Sequence, residues 1–318
     1  MPDIIWQMAS GFWSNYWRSG LASSYQRFIS TKCQLPDLAT PTGKEISLST
    51  SEDILQNFLH YNFKYGPLSP SYKYEKVKDE ICITISDDIG IVGSIRSKPG
   101  GYFEDNSTCI IDCFCVRSDW RKRGVGTYLL NQIQKECAKR NIYNAIFLKE
   151  GKPIQQLGIK PVYSSQYAFR QVTDSKIPDT IKQIQPNSAY LLIENYTLLR
   201  PNTFLILNKE TQNQKWFRYK KDTYWVLAVV QNSYQVFKDG NTIGWITGWI
   251  ESPNMNDEIR KEASEDITSA CGEYYNMVWM DNNWTSTSDK FMIDGSFHWY
   301  TYQWSTSLTP NISYCIMS

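Results

Sequence analysis

Apolar residues recur every four positions in two separate stretches: Val125, Leu129, Ile133 and Cys137, and later Ile259, Ala263, Ile267 and Cys271. At that spacing each set lies on one face of a helix. The first set predicts a helix over Gly124 to Arg140, with Glu136 and Arg140 placed to pair at i,i+4. Ile54, Leu55, Phe58 and Leu59 form a shorter apolar face. They predict a helix within Ser47 to Asn62, capped by Thr50 or Ser51 and favoured by Glu52 and Asp53 in its first turn. Period-two and short apolar runs predict strands at 81–86 and 90–96, joined by a turn near Asp87 and Asp88, and at Cys109 to Val116, Ala145 to Leu148 and Tyr163 to Val172. In the second half Tyr224 to Val230 and Tyr234 to Phe237 suggest a hairpin. Ile243 to Ile250, Tyr275 to Met280 and Phe297 to Trp304 suggest further strands.

The order of these elements repeats. In both halves a hairpin and a strand precede a helix with a four-residue stripe, a short apolar strand follows, and an aromatic strand closes the set. The chain therefore reads as a duplicated unit. Residues 173–188, with two prolines and many polar residues, look like the boundary. The first 43 residues form an aromatic arm containing Phe12, Trp13, Tyr16 and Trp17.

Length and composition narrow the function. The 318 residues suggest about two domains. Lys and Arg number 33 against 32 Asp and Glu, which argues against bulk nucleic-acid binding. No apolar run is long enough for a membrane span, and Met1-Pro2-Asp3 lacks a signal-peptide pattern, so a cytoplasmic location is expected. Eight cysteines form no Cys-x-x-Cys pair and only His60 and His298 could add imidazole, so no metal is expected. Cys113 and Cys115 fall on one face of a strand. With no histidine paired to them in the sequence, they read as core or groove lining.

The chemistry sits in Arg121-Lys122-Arg123-Gly124-Val125-Gly126-Thr127, which follows a strand and opens a helix. Backbone N–H groups at such a junction point at whatever lies beyond the helix. Glycines allow close approach, and the positive dipole end with three cations favours phosphate.

This arrangement resembles the GNAT acetyltransferase motif Gln/Arg-x-x-Gly-x-Gly/Ala, with Val116 at the motif's upstream valine. The duplication narrows the resemblance to the N-myristoyltransferases. The stretch Ile110 to Ser118 is similar to that family's Glu-Ile-Asn-Phe-Leu-Cys-x-His-Lys, with Asp112 for its Asn and Arg117 for its His. Trp120 to Gly126 is similar to its Leu-Arg-Ser-Lys-Arg-Leu/Val-Ala. Lys290 to Gly295 resembles its late Lys-Phe-Gly-x-Gly-Asp-Gly, one residue shorter, and Gly11-Phe12-Trp13 echoes its N-terminal Lys-Phe-Trp.

The resemblance implies an α+β fold of two acetyltransferase-like halves, each a mixed sheet flanked by helices. It divides the chain into an arm over 1–43, an acyl-CoA-binding half over 44–172 and a peptide-side half over 173–318. It implies transfer of a fatty acyl group from myristoyl-CoA or another acyl-CoA to an N-terminal glycine of a peptide or protein. Phe12, Trp13, Cys115, Val116 and residues Arg121 to Thr127 would contact acyl-CoA. The backbone amides of Cys113 and Phe114 would stabilise the oxyanion. The C-terminal carboxylate, here on Ser318, would be the base. Asp294 and Gly295 would shape a loop over the peptide's amino end. Two alternatives stay open: a short-chain N-acetyltransferase, and a non-catalytic relative that binds acyl-CoA or lipid or serves a structural role. The second half has only Ser252-Pro253-Asn254-Met255 before its helix, so one coenzyme A site is expected.

Overall fold

A computed structural model describes residues 37–63, 71–72, 74–103, 106–154, 161, 163–172, 176–199, 204–206, 214–236, 240, 242–286, 288–302 and 314–316. These fall into two compact units. The first takes the described residues up to 161 together with 298–302, and the second takes 163–297 with 314–316.

The first unit contains α1 (Glu52–Asn62), β1 (Ser71–Tyr72), β2 (Ile81–Ser86), β3 (Ile91–Phe103), β4 (Asn106–Val116), α2 (Val125–Lys139) and β5 (Asn144–Glu150). β2, β3 and β4 are successively antiparallel, and β5 then runs parallel to β4, from Thr108 opposite Asn144 to Ile111 opposite Phe147. A parallel pair needs a crossover, which α2 supplies. The alternation on β2 decides what each face covers. Ile81, Ile83 and Ile85 pack with the α2 stripe Val125, Leu129, Ile133 and Cys137. Cys82 and Ile91 join the cluster built on Leu55, Phe58 and Leu59 of α1.

Helix α2 lies close to the sheet because Gly93 has no side chain. A Cβ there would stand 2.9 Å from Leu129 Cδ1, 2.9 Å from Val125 Cγ1 and 3.3 Å from the Cys115 carbonyl oxygen. Gly93→Ala should cost about 1–3 kcal/mol by overpacking. It should appear as a lower denaturation midpoint with an unchanged slope; an unchanged midpoint would show that the helix is free to shift.

The second unit repeats the plan. It contains β6 (Tyr163–Gln171), β7 (Ile181–Ile184), α3 (Pro186–Leu199), β8 (Phe204–Ile206), β9 (Gln214–Lys221), β10 (Tyr224–Val236), β11 (Thr242–Glu251), α4 (Asp257–Cys271), β12 (Met277–Asp281) and β14 (Tyr314–Ile316). β9, β10 and β11 are successively antiparallel, and β12 runs parallel to β11 with α4 as the crossover. Each unit is thus a mixed sheet with a strand–helix–strand crossover at the same place. β13 (Met292–Tyr302) ends beside β5 in the first unit. No helix among the described residues is long and apolar enough to cross a membrane.

Several sequence expectations need correction. The stretch 173–188 is not a bare boundary: it holds β7 and the start of α3, whose first residue is Pro186. Proline is at home there, because the first helical N–H has no intrahelical partner. The run 224–236 is one strand, and its hairpin partner is β9, through a turn at Asp222 and Thr223. Between the two expected strands, Asn232 pairs with Gly244 of β11, and at the irregularity that follows Ser233 Oγ donates to the Ile243 carbonyl. Glu136 pairs with Lys139, while Arg140 donates to the Asp79 carbonyl. Neither proposed hydroxyl caps α1: Ser51 occupies the cap position without a side-chain bond, and Thr50 bonds Thr84. Tyr163–Gln171, read as the last strand of the first half, pairs antiparallel with β12 in the second unit. Periodicity reveals a strand but not its partner.

Candidate functional site

The site is the junction between β4 and α2. After Val116 the chain makes a short 3-10 turn, Ser118–Trp120, and then a tight turn into Val125. Arg117 clamps the start of this path. Its amide donates to the Val92 carbonyl at 2.9 Å, and its guanidinium spans Asp87 and Asp119. Asp87 also accepts from the Trp120 indole at 3.0 Å and from the amides of Ile89 and Gly90. The bond from Arg117 is the main reason the Asp87 carboxyl sits well below the ordinary carboxylate range. The bonds from Ile89, Gly90 and Trp120 add to that effect, while partial burial opposes it. So Arg117, which stands where the resembling family has histidine, is an anchor of the turn.

Two residues of the turn adopt left-handed backbone, Lys122 at φ +62° and Gly124 at φ +82°. Gly124 is the N-cap of α2, has no side chain to satisfy the first amides, and has nothing within 4 Å of where a Cβ would stand. The first helical bond runs from Tyr128 N to Gly124 O, at 2.9 Å. The amides of Val125, Gly126 and Thr127 therefore belong to the first turn, which an anion can cap.

A cavity of about 730 Å³ opens onto this turn, within the roughly 300–1,000 Å³ range of small-molecule sites. The β4 side is lined by Phe114, Cys115 and Val116. The turn side is lined by Trp120, Arg121 and Lys122, the helix side by Gly124, Gly126 and Thr127, and the end of α1 adds Asn62 and Phe63. Arg121 Nε donates to the Val116 carbonyl at 3.1 Å, which holds its stem along the strand end. Arg121, Lys122 and Arg123 are exposed. Among the described residues none of the three is paired with a carboxylate, whereas Arg117 is neutralised by Asp87 and Asp119. The junction is therefore locally cationic although the chain is nearly neutral.

Upstream, β4 carries a bulge. Ser94 faces Cys115 and Arg96 faces Asp112, so Cys113 and Phe114 together oppose Ile95. Cys113 has φ +49°, and its carbonyl accepts from Ser94 Oγ at 2.8 Å. A bulge re-aims the backbone beside the cavity. Cys113 is buried against α1, while Cys115 lines the cavity. Burial pushes the Cys115 thiol up to about 12, with nearby Arg121 only partly offsetting it. Cys115 therefore lines the cavity as a buried thiol.

Asp112 has a structural role that the sequence did not reveal. Arg96, 1% exposed, grips its carboxylate with two bonds, Nε to Oδ1 at 2.6 Å and Nη2 to Oδ2 at 2.8 Å. Lys98 reaches the same carboxylate at 3.0 Å, and Glu80 lies 3.3 Å from Arg96. The cluster holds two cations and two carboxylates, so it is balanced. The signal was present: Arg96 and Lys98 alternate as two cations on a buried strand, opposite Asp112 and Ile110.

Residues 50–157 match the family model described as the acetyltransferase (GNAT) family. A structure of Saccharomyces cerevisiae N-myristoyltransferase with bound myristoyl-CoA superposes with a TM-score of 0.59 at 13% identity, covering 86% of this chain and 81% of that one. A second, with bound myristoyl-CoA and inhibitors, gives 0.58 at 11% identity, covering 89% and 87%. The fold is that of N-myristoyltransferase. No curated protein matches the chain by sequence.

Within the N-myristoyltransferase-like fold, the two units differ at the equivalent junction. The helix α4 begins with Asp257 and Glu258, and Arg260 folds back onto Glu251 with bonds of 2.9 and 2.7 Å. Acidic residues fill the positive end of that helix. The cationic junction belongs to the first unit.

The structure brings Cys113 to Val116 and Arg121 to Thr127 together around one turn. It does not place Asp294 and Gly295 in a loop: both lie inside β13, where Gly295 takes φ +65°. A β-rich run with one glycine irregularity stays in a strand, so the Asp-Gly turn signal misled. His298 is buried, with a ring nitrogen 2.8 Å from the Gly151 carbonyl oxygen. Phe12, Trp13 and Ser318 lie outside the described residues. Sequence reasoning missed Asn62, Phe63 and Trp120 as cavity residues.

Proposed function

We propose that the protein is an acyl-CoA-dependent N-acyltransferase that moves a fatty acyl group, myristoyl in the first instance, to the N-terminal glycine of a peptide or protein. The observation that carries this reading is the open, cationic first turn of α2, set in an N-myristoyltransferase-like fold. The first-turn amides, with Arg121 and Lys122, would hold the diphosphate of coenzyme A. Cys115 and Val116 would wall the path toward the bulge. There the amides of Cys113 and Phe114 would meet the oxyanion; the interrupted ladder and the left-handed Cys113 support that role. Phe12 and Trp13 would close over the acyl-CoA, and Asp294 and Gly295 would face the peptide.

The reaction forms a C–N bond between the glycine amine and the thioester carbonyl carbon. The C–S bond breaks and coenzyme A leaves as a thiolate. An amine with a pKa near 8 must lose a proton to become nucleophilic, and the carboxylate of Ser318 would accept it. Tyr314–Ile316 is bonded on both sides, antiparallel to β11 and parallel to β8, so the segment leading to Ser318 is built into a sheet.

Transfer is tested by the mass of a glycine-initiated peptide after incubation with myristoyl-CoA. A gain of one myristoyl group on the amine is expected, and none when alanine replaces the glycine. Extending the chain beyond Ser318 should abolish that gain while myristoyl-CoA still binds. Full turnover by the extended protein would remove the carboxylate from the mechanism.

A further inference from the structure

Strand β9 of the second unit alternates between two faces of its sheet, and the two faces treat their cations differently. On one face Trp216 packs with Leu227, Val229 and Ile250 against Ala189, Tyr190 and Ile193 of α3. Arg218 and Lys220, farther along β9 at the same alternation, fall on that α3 face. Lys182 of β7 is directly opposite Arg218, and Trp225 of β10 is opposite Lys220. Directly opposite residues have Cβ atoms about 5 Å apart, and residues two apart on a strand lie about 7 Å apart. The three cationic side chains therefore leave the sheet as one compact patch. On the other face of β9, Lys221 pairs with Glu262 at 2.6 Å, and Lys215 lies over the Tyr274 ring, 4.8 Å from its centroid. On the α3 face, no carboxylate among the described residues pairs with Lys182, Arg218 or Lys220; Asp179 and Asp222, in the adjoining turns, reach none of them. Nε of Arg218 is buried and has no hydrogen-bond partner. Like charges directly opposite destabilise a ladder, and an unpartnered donor out of water is costly. A bound anion relieves both.

We infer that Lys182, Arg218 and Lys220 bind a phosphate monoester carried on an extended protein segment. Two features select this ligand. The patch is compact, and a guanidinium fork between two ammonium groups matches one tetrahedral group bearing roughly 1.5–2 negative charges better than it matches a broad charged surface. It also lies beside an open edge: β7 pairs with β9 on one side and, among the described residues, with no strand on the other. A segment added there as a strand exchanges main-chain hydrogen bonds with β7, and its residue opposite Lys182 points to the α3 face. A phosphoserine in that position meets Lys182, with Arg218 on the next strand. Lysine on an edge strand ordinarily keeps stray strands away. That ordinary role does not extend to Arg218 and Lys220, which belong to the interior strand β9. A cation at the edge rejects an uncharged strand and admits one that brings the counter-charge. The inference is independent of the acyl-CoA reading, since every residue in the patch belongs to the second unit.

The test is calorimetry on the full chain, at one fixed salt concentration, with a short peptide of alternating valine and threonine that carries one central phosphoserine. The serine form of that peptide, inorganic phosphate and phosphatidylserine vesicles run beside it. The phosphopeptide should bind at least about tenfold tighter than its serine form, and tighter than phosphate alone. Arg218→Gln should bring the peptide ratio near one. Lys182→Glu should do the same and, by setting a carboxylate opposite Arg218, raise the melting temperature of the unliganded protein; Lys182 is exposed, so this variant folds. Equal binding of the two peptides, or a ratio unmoved by both substitutions, would overturn the inference. Phosphate that binds as tightly as the phosphopeptide would overturn the extended segment and leave an anion site only. Vesicle binding without phosphopeptide binding would overturn it in favour of a membrane surface. Both variants should bind myristoyl-CoA as the unsubstituted protein does, so failure of the patch leaves the acyl-CoA reading standing.

Discussion

Replacing Arg121, Lys122 and Arg123 together by glutamine should weaken acyl-CoA binding roughly 100- to 1,000-fold, with little change in stability. The three side chains are exposed and make no ion pair among the described residues, so folding does not depend on their charge. Their charges are the main difference between this junction and the acidic one at α4. A charge-assisted contact to phosphate is worth about 1.5 kcal/mol or more when shielded from water, and solvent exposure lowers each here to about 1 kcal/mol. The same argument predicts that affinity falls as salt rises, and that the triple variant loses most of that dependence. Calorimetry at two salt concentrations reads both effects. An affinity that survives the triple substitution would mean that the backbone amides bind without help, or that the ligand binds elsewhere.

The second large effect concerns stability. Arg96→Met leaves Asp112 with Lys98 alone and takes from Glu80 its guanidinium partner, in a cluster where Arg96 is 1% exposed. Breaking a buried pair from one side costs about 3–5 kcal/mol, a large part of the roughly 5–15 kcal/mol that holds a domain together. The cluster also sets an acid limit. Burial pushes the Asp112 carboxyl up, but the charges and hydrogen bonds of Arg96 and Lys98 outweigh it and hold it well below the ordinary range. A carboxyl depressed in the folded state stabilises fully above its unfolded value, near 4. That contribution is lost as pH falls below it toward the folded value. Melting followed from pH 6 to pH 3 should show stability falling below about pH 4. Asp112→Asn should start lower at pH 6 and show a flatter fall; an identical profile would place the acid sensitivity elsewhere.

Much of the fold was legible because its crossovers are amphipathic. Val125, Leu129, Ile133 and Cys137 are all buried, as their spacing requires. In α4 the stripe was less faithful: Ile259 is only half-buried, and Arg260 is buried instead because Glu251 neutralises it. The phosphate-type junction was legible too, since strand, basic turn, glycines and helix follow one another within the sequence. What the sequence hid depends on partners distant along the chain. Arg96 and Asp112 are sixteen residues apart and meet across a bulged ladder. Trp120 and Asp87 belong to different turns. Asn62 and Phe63 reach the cavity from the end of α1. The pairing of β6 with β12 could not be inferred from alternation, which shows which side chains share a face and nothing about the neighbour.

The measurement that bears most directly on the central claim is release of free thiol by the untagged full chain from myristoyl-CoA, with and without a glycine-initiated peptide, beside the same assay with acetyl-CoA. Peptide-dependent release from myristoyl-CoA, well above that from acetyl-CoA, is the predicted result. Release from acetyl-CoA alone would contradict the fatty-acyl transfer. No release from either, with myristoyl-CoA shown to bind, would contradict catalysis itself and leave a binding module on this fold.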